Sequence, residues 1–284
     1  KEEFTKNRPD LVLVQGDTST AFAAALAAFY EKIPVGHVES GLRTDNKFDP
    51  FPEEINRRMI SQLASLHFAP TIQAKNNLLN SNVVGNIYVT GNTVIDSLLF
   101  IAKNTKQYEI DGFDLTDKKI ILTTIHRREN WGKNLESISQ ALLKILETQK
   151  DTVLLLPLHR NPLVREPLIR VFGDHPRAIL NEPFDYETLV SAMKASTILI
   201  TDSGGLQEEA PTFGKPVLVI RETTERVEAI SSGTAKLVGS NTNLIVKEAT
   251  ELLTNKVSYK KMAKIENPFG DGKASQRIID ICLD

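Results

Sequence analysis

Cysteine is all but absent from this chain of 284 residues: the single copy, Cys282, lies at the carboxyl end. An internal disulfide and a multi-cysteine metal cluster are therefore excluded, and a reducing compartment fits. Excess charge is missing too. The 34 basic and 36 acidic residues leave a formal charge of −2, so no global field draws the chain to nucleic acid or to an anionic membrane, and any anion must be held by a local site. No apolar run approaches the roughly 20 residues of a membrane helix, and the amino terminus lacks the apolar core of a signal peptide. The expectation is a soluble, cytoplasmic protein with no nucleic-acid or membrane partner. Internal repeats and low-complexity tracts are absent as well.

What the chain does contain is alternation. Residues 10–15 form a β-rich run, Thr18-Ser19-Thr20 caps an alanine-rich helix to about Lys32, and 33–38 form the next run. The runs 119–125, 152–156, 178–180, 197–201, 216–220 and 235–238 repeat the pattern with helices between them. Such alternation predicts an α/β fold with parallel sheets covered by helices. A polar, turn-rich stretch at 107–117 suggests a domain boundary, giving a first lobe at 1–112, a second at 113–268 and a terminal segment at 269–284 with a last helix at 274–283. The opening residues 1–9 read as the tail of a helix entering a strand, so the first lobe is expected to lack its opening βα units.

In open α/β sheets ligands sit beyond the carboxyl ends of strands, so residues just after each run carry the chemistry. Thr201-Asp202-Ser203-Gly204-Gly205-Leu206-Gln207-Glu208-Glu209 follows one run and opens a helix. Its two glycines admit close backbone approach, and the free N–H groups favour an anion. The plain alternative is an Asp-Ser helix cap with a glycine turn. Glu208 or Glu209, one turn on, suits ribose hydroxyls, while Arg221 and Arg226 after the next run suit a second phosphate charge. His126-Arg127-Arg128-Glu129-Asn130 follows run 119–125, where an imidazole can donate to a leaving phosphate or exchange protons near neutral pH. His159 also follows a strand and ranks second; His67 and His175 lack such a setting.

The first lobe supplies acids. Asp17, Glu39 and Glu53 follow two strands and open a helix, so they can converge, and like charges held close raise one proton affinity. Each also has a bland reading: Asp17 as a helix cap, Glu53 as a complement to a helix start, Glu39 as an arginine partner. Asp17, His37 and Glu39 as ligands of a divalent ion form the competing reading.

Gly16-Asp17-Thr18, His37-Val38-Glu39-Ser40-Gly41-Leu42-Arg43-Thr44, Pro52-Glu53-Glu54-Ile55-Asn56-Arg57, Gly91-Asn92-Thr93, His126-Arg127-Arg128-Glu129-Asn130, residues 201–211 and Asn267-Pro268-Phe269-Gly270-Asp271-Gly272 together resemble the non-hydrolysing UDP-N-acetylglucosamine 2-epimerase family. The likeness covers essentially the whole chain. It implies two Rossmann-like lobes of glycosyltransferase-B type with a cleft between them, the last helix returning to the first lobe, and a homodimer. It implies interconversion of UDP-N-acetylglucosamine and UDP-N-acetylmannosamine by elimination and re-addition of UDP through 2-acetamidoglucal, with no redox cofactor and no metal. By match, Asp17, Glu39 and Glu53 are acid–base carboxylates and His126 steadies the departing UDP. Ser203, Gly204 and Gly205 hold the diphosphate, Glu209 the ribose and Arg226 the phosphate or the closed cleft, with uridine-facing positions at Phe184 and Leu189. The family's opening Gly-Thr-Arg-Pro-Glu loop has no counterpart here, so a partial chain is expected. A hydrolysing epimerase, a glycosyltransferase of the same fold and a non-catalytic sugar-nucleotide-binding module remain as rivals.

Overall fold

The structure, a computed structural model, describes residues 2–44, 46–48, 50–105, 108, 115 and 117–284. The chain forms two compact units, Lys1–Ser97 with Phe269–Asp284, and Leu98–Pro268. The boundary expected between 112 and 113 lies outside the described residues.

In the first unit four parallel strands, β1 (Val12–Gln15), β2 (Val35–Val38), β3 (Leu66–Ala69) and β4 (Asn86–Val89), stand side by side in chain order. Helix α2 (Ser19–Tyr30) starts where the Thr18 side chain accepts from the Ala21 amide at 3.2 Å. Its Ala21, Ala25 and Ala28 fall on one face and are buried with Val14 and Val35 of the sheet and Ile60 of α3 (Glu53–Leu63). Small side chains there let helix and sheet approach closely. The helix stops short of the expected Lys32, which sits at φ 56° in the left-handed region. A second cluster joins Val38 and Phe68 to Ile278 of α13 (Ala274–Leu283), whose bounds match the sequence expectation. The alternation of apolar runs does not predict strands β3 and β4. Each is four residues long, and His67 and Asn86 interrupt their apolar pattern.

The second unit carries six parallel strands, β5 (Lys119–Thr124), β6 (Thr152–Pro157), β7 (Ala178–Asn181), β8 (Ile198–Thr201), β9 (Val217–Val219) and β10 (Ala235–Leu237). Their spatial order is β10-β9-β8-β5-β6-β7. The chain therefore runs outward from β5 to β7, returns, and runs outward the other way from β8 to β10. The reversal lies between β5 and β8, and doubly wound sheets bind ligands at such a point. Below it, Leu154, Leu156, Ile198 and Ile200 pack with Ile138, Leu142 and Ile145 of α6 (Lys133–Thr148). Each such fully buried side chain contributes about 1.5–3 kcal/mol, which makes the strand ends a firm platform. Among the described residues no helix is long and apolar enough to cross a membrane.

Candidate functional site

The two central strands of the second unit end together. Thr124 and Thr201, register partners on β5 and β8, share a side-chain hydrogen bond at 2.6 Å, and the Thr201 hydroxyl also accepts from the Ser203 amide at 2.9 Å. Beyond them Asp202, 0 % exposed, collects His126 Nδ1 at 2.6 Å, the amides of His126 at 3.0 Å and Arg127 at 2.9 Å, and Asn130 Nδ2 at 2.9 Å. Burial pushes the Asp202 carboxyl up, but the His126 ring and these donors outweigh it and hold the group below its ordinary range. An acceptor-only carboxylate fixes the proton of His126 on Nδ1, leaving Nε2 of a ring 38 % exposed for a ligand. Asp202 reads as a helix-cap residue in the sequence. Its bond to His126 becomes visible only once β8 is known to lie beside β5.

Ser203 caps α9 (Gly204–Glu209), accepting from the Leu206 amide at 3.4 Å. A Cβ on Gly204 would lie 3.2 Å from Glu225 Oε1 and 3.3 Å from Arg226 Cζ, so the Arg226 guanidinium stands directly beside the glycine turn. Glu208 holds Arg226 Nε at 2.7 Å and Glu225 holds its Nη1 at 2.9 Å. Burial raises the Glu225 carboxyl, yet Arg226 and Arg221 prevail and bring it down to about 2. Arg221, expected beside a phosphate, is buried between Glu129 at 2.7 Å and Glu225 at 2.8 Å; it braces the loop after β9 against the loop after β5. Glu209 behaves in the opposite way. Burial first, and then the charge of Glu208, push it up to about 7, with the Tyr186 hydroxyl working against them. Phe184 and Leu189 line a cavity of about 200 Å³ together with His126, His159, Ser203 and Leu206. Tyr108 packs edge-on against Phe184 at 5.8 Å.

Two acids of the first unit, Asp17 and Glu39, meet at the turn after β1. Gly16 sits at φ +68°, and a Cβ there would lie 3.4 Å from Glu39 Oε2, so the Glu39 carboxylate stands next to the residue preceding Asp17. Glu39 itself adopts φ 62°, a conformation that costs a non-glycine residue on the order of 1–3 kcal/mol and marks sites where geometry is over-determined. Helix α3 clamps the same turn from outside: Asn56 Nδ2 donates to the Asp17 carbonyl at 2.9 Å, and Arg57 meets Asp17 Oδ2 at 2.5 Å. Glu53 lies one turn before Arg57, on the helix face that reaches Asp17. The sequence gives Asn56 and Arg57 no role of their own, because nothing in their spacing names the turn that they grip. His37 does not join Asp17 and Glu39 as a ligand. It is buried, with Nε2 on the Gly16 carbonyl at 2.8 Å. Among the described residues no group of three or more His, Cys, Asp or Glu side chains is placed to hold a metal ion.

A parallel sheet with reversed strand order, a histidine–aspartate pair at the reversal and a glycine-opened helix beside an arginine define the second unit as a Rossmann-like α/β unit. Comparison with known proteins narrows the class. The family model described as UDP-N-acetylglucosamine 2-epimerase matches residues 1–283. The Bacillus subtilis UDP-N-acetylglucosamine 2-epimerase is 48% identical over 283 residues, covering 99% of this chain and 74% of that protein. The crystal structure of the Neisseria meningitidis UDP-GlcNAc 2-epimerase bound to UDP-GlcNAc superposes with a TM-score of 0.93 at 46% identity, covering 99% of this chain and 78% of that one. The S. aureus protein in its UDP co-structure gives 0.93 at 45% identity, with 99% and 77% covered. The chain belongs to the UDP-N-acetylglucosamine 2-epimerase family.

Proposed function

We propose that the protein interconverts UDP-N-acetylglucosamine and UDP-N-acetylmannosamine without hydrolysing either. One carboxylate takes the proton from C2 of the sugar while the C1–O bond to UDP breaks, leaving 2-acetamidoglucal and UDP. A proton delivered to the opposite face of C2, with return of UDP to C1, gives the epimer. Asp17, Glu39 and Glu53 supply the acid–base groups, which typically contribute about 10²- to 10⁴-fold each. His126, seated by Asp202, presents Nε2 to the departing diphosphate, and Ser203, Gly204, Gly205 and Arg226 hold that diphosphate. Glu209 takes the ribose hydroxyls, and Phe184 and Leu189 face the uridine. The acids lie within Lys1–Ser97 and the nucleotide contacts within Leu98–Pro268, with Phe269–Asp284 completing the first lobe. The reaction needs no redox cofactor or metal, and the enzyme works as a cytoplasmic homodimer.

The observation that carries this reading is the bond from His126 Nδ1 to buried Asp202 beside the glycine turn, within a chain that the family model matches at residues 1–283. Incubating the full-length protein with UDP-N-acetylglucosamine in deuterium oxide tests it. Proton NMR should show deuterium at C2 and a growing UDP-N-acetylmannosamine signal. Free N-acetylmannosamine would mean a hydrolase, and UDP binding without exchange would mean a binding module.

A further inference from the structure

Beneath the carboxylate loops lies a feature that the proposed chemistry does not use. Val14, His37 and His67 are register partners across β1, β2 and β3, so both imidazoles project from the same face of the sheet. Both are fully buried, as is Ser40. His37 Nε2 lies 2.8 Å from the Gly16 carbonyl. A carbonyl only accepts, so His37 carries its proton on Nε2, and its Nδ1 is buried without a hydrogen-bond partner among the described residues. His67 Nε2 lies 3.2 Å from the Val84 carbonyl and must likewise be the donor, which leaves Nδ1 to accept from the Ser40 hydroxyl at 3.3 Å. One imidazole thus grips the residue before Asp17, and the other grips the residue after Glu39.

We infer that His37 and His67 are positioning residues: a two-imidazole floor that sets the backbone of the Asp17 and Glu39 loops, and so the aim of two acid–base groups, without touching substrate. The inference rests on the epimerase reading for its catalytic consequence and on the hydrogen bonds alone for its structural one. Hydrogen bonds from a rigid strand suit this task, because an error of about 1 Å in a reacting group costs about 10²-fold in rate. Burial also works against charge on the floor. Burial first, then the charges of His67, Arg43 and Arg57, bring His37 down to about 3 against the pull of the Gly16 carbonyl, and burial lowers His67 as well. The Gly16 and Val84 carbonyls, which only accept, hold each neutral ring with its proton on Nε2.

The test compares His37→Leu, His37→Gln and Ser40→Ala in the full-length protein. Leucine fills the space but has no donor, whereas the Gln amide donates at about the reach of Nε2. His37→Leu should lower kcat about 10²-fold with the Kd for UDP within about twofold, His37→Gln should regain most of that loss, and Ser40→Ala should cost about tenfold in kcat. Amide hydrogen exchange should quicken at Gly16, Asp17 and Thr18 in His37→Leu and at Glu39 to Leu42 in Ser40→Ala. The inference is overturned if His37→Leu keeps kcat within about twofold of wild type, or if Gln is as poor as Leu. Should His37→Leu fail to fold, Ser40→Ala decides, and unchanged kcat with unchanged exchange sinks the idea. Should the wild-type protein show no C2 exchange, the epimerase reading fails by itself, and amide exchange in the variants still decides whether the two imidazoles hold the loops.

Discussion

Two aspartates, each just beyond a parallel strand, serve opposite ends. The Asp17 side chain is 26 % exposed, with one oxygen tied to Arg57, while Asp202 is wholly enclosed and spends its oxygens on His126 and neighbouring donors. Replacing them should separate chemistry from orientation. Asp17→Asn, Glu39→Gln and Glu53→Gln are each expected to lower kcat by about 10²- to 10⁴-fold while leaving the Kd for UDP nearly unchanged, measured by calorimetry beside turnover. Asp202→Asn should free the His126 tautomer. A kcat loss of about 10²-fold or more is expected, with nitrogen NMR of His126 showing protonation moved from Nδ1. Glu209 offers a pH signature. Its folded-state value of about 7 lies above the ordinary 4.5, so the unfolded chain sheds this proton first. The contribution is fully present below about pH 4.5 and is lost as pH rises through about 7, a span on the order of 3 kcal/mol. Denaturant unfolding of Glu209→Gln should lack that decline.

Among elements, helix starts are the revealing features. The Asp96 carboxylate, in α5 (Thr93–Asn104), accepts from the Ala274 amide at 3.1 Å and the Ser275 amide at 2.7 Å, capping α13 from a distant part of the sequence. Asp96→Ala should cost about 1–2 kcal/mol in denaturant unfolding, with faster amide exchange in the first turn of α13. At α9, a methyl group on Gly204 would press on Glu225 Oε1 at 3.2 Å and Arg226 Cζ at 3.3 Å. Gly204→Ala is therefore expected to weaken UDP binding by displacing a cation as well as by crowding the backbone. Legibility followed the same physics. Strands β5, β6 and β8 read plainly because both their faces are covered and their apolar runs are unbroken. Strand β3 did not, because His67 looks polar until the Ser40 and Val84 partners are known. The His126 position was readable as a strand exit, whereas its dependence on Asp202 required the spatial order of strands.

For the molecule as a whole, the α/β class was legible from alternation, whereas a division into two lobes was read from the polar stretch at 107–117. By contacts, the division falls between Ser97 and Leu98, inside α5, where neither glycine nor proline breaks the helix; a continuous helix hides such a division from any reading of composition. The candidate residues are divided between the units, acids in one and nucleotide contacts in the other. UDP should accordingly slow amide exchange mainly within Leu98–Pro268, at the carboxyl ends of β5 and β8, while raising the unfolding free energy by about 2.7 kcal/mol at a hundredfold excess over Kd.

The reversal between β5 and β8 also has a bearing on synthesis. Asp202 and the His126 amide that it holds are 76 positions apart in sequence. A nascent chain emerging from the ribosome exposes the imidazole long before the aspartate that seats it has been translated, and loop closure over that distance must come first. UDP can therefore reward this fold only near its completion, as a late lock on a finished lobe and not as a template for its assembly.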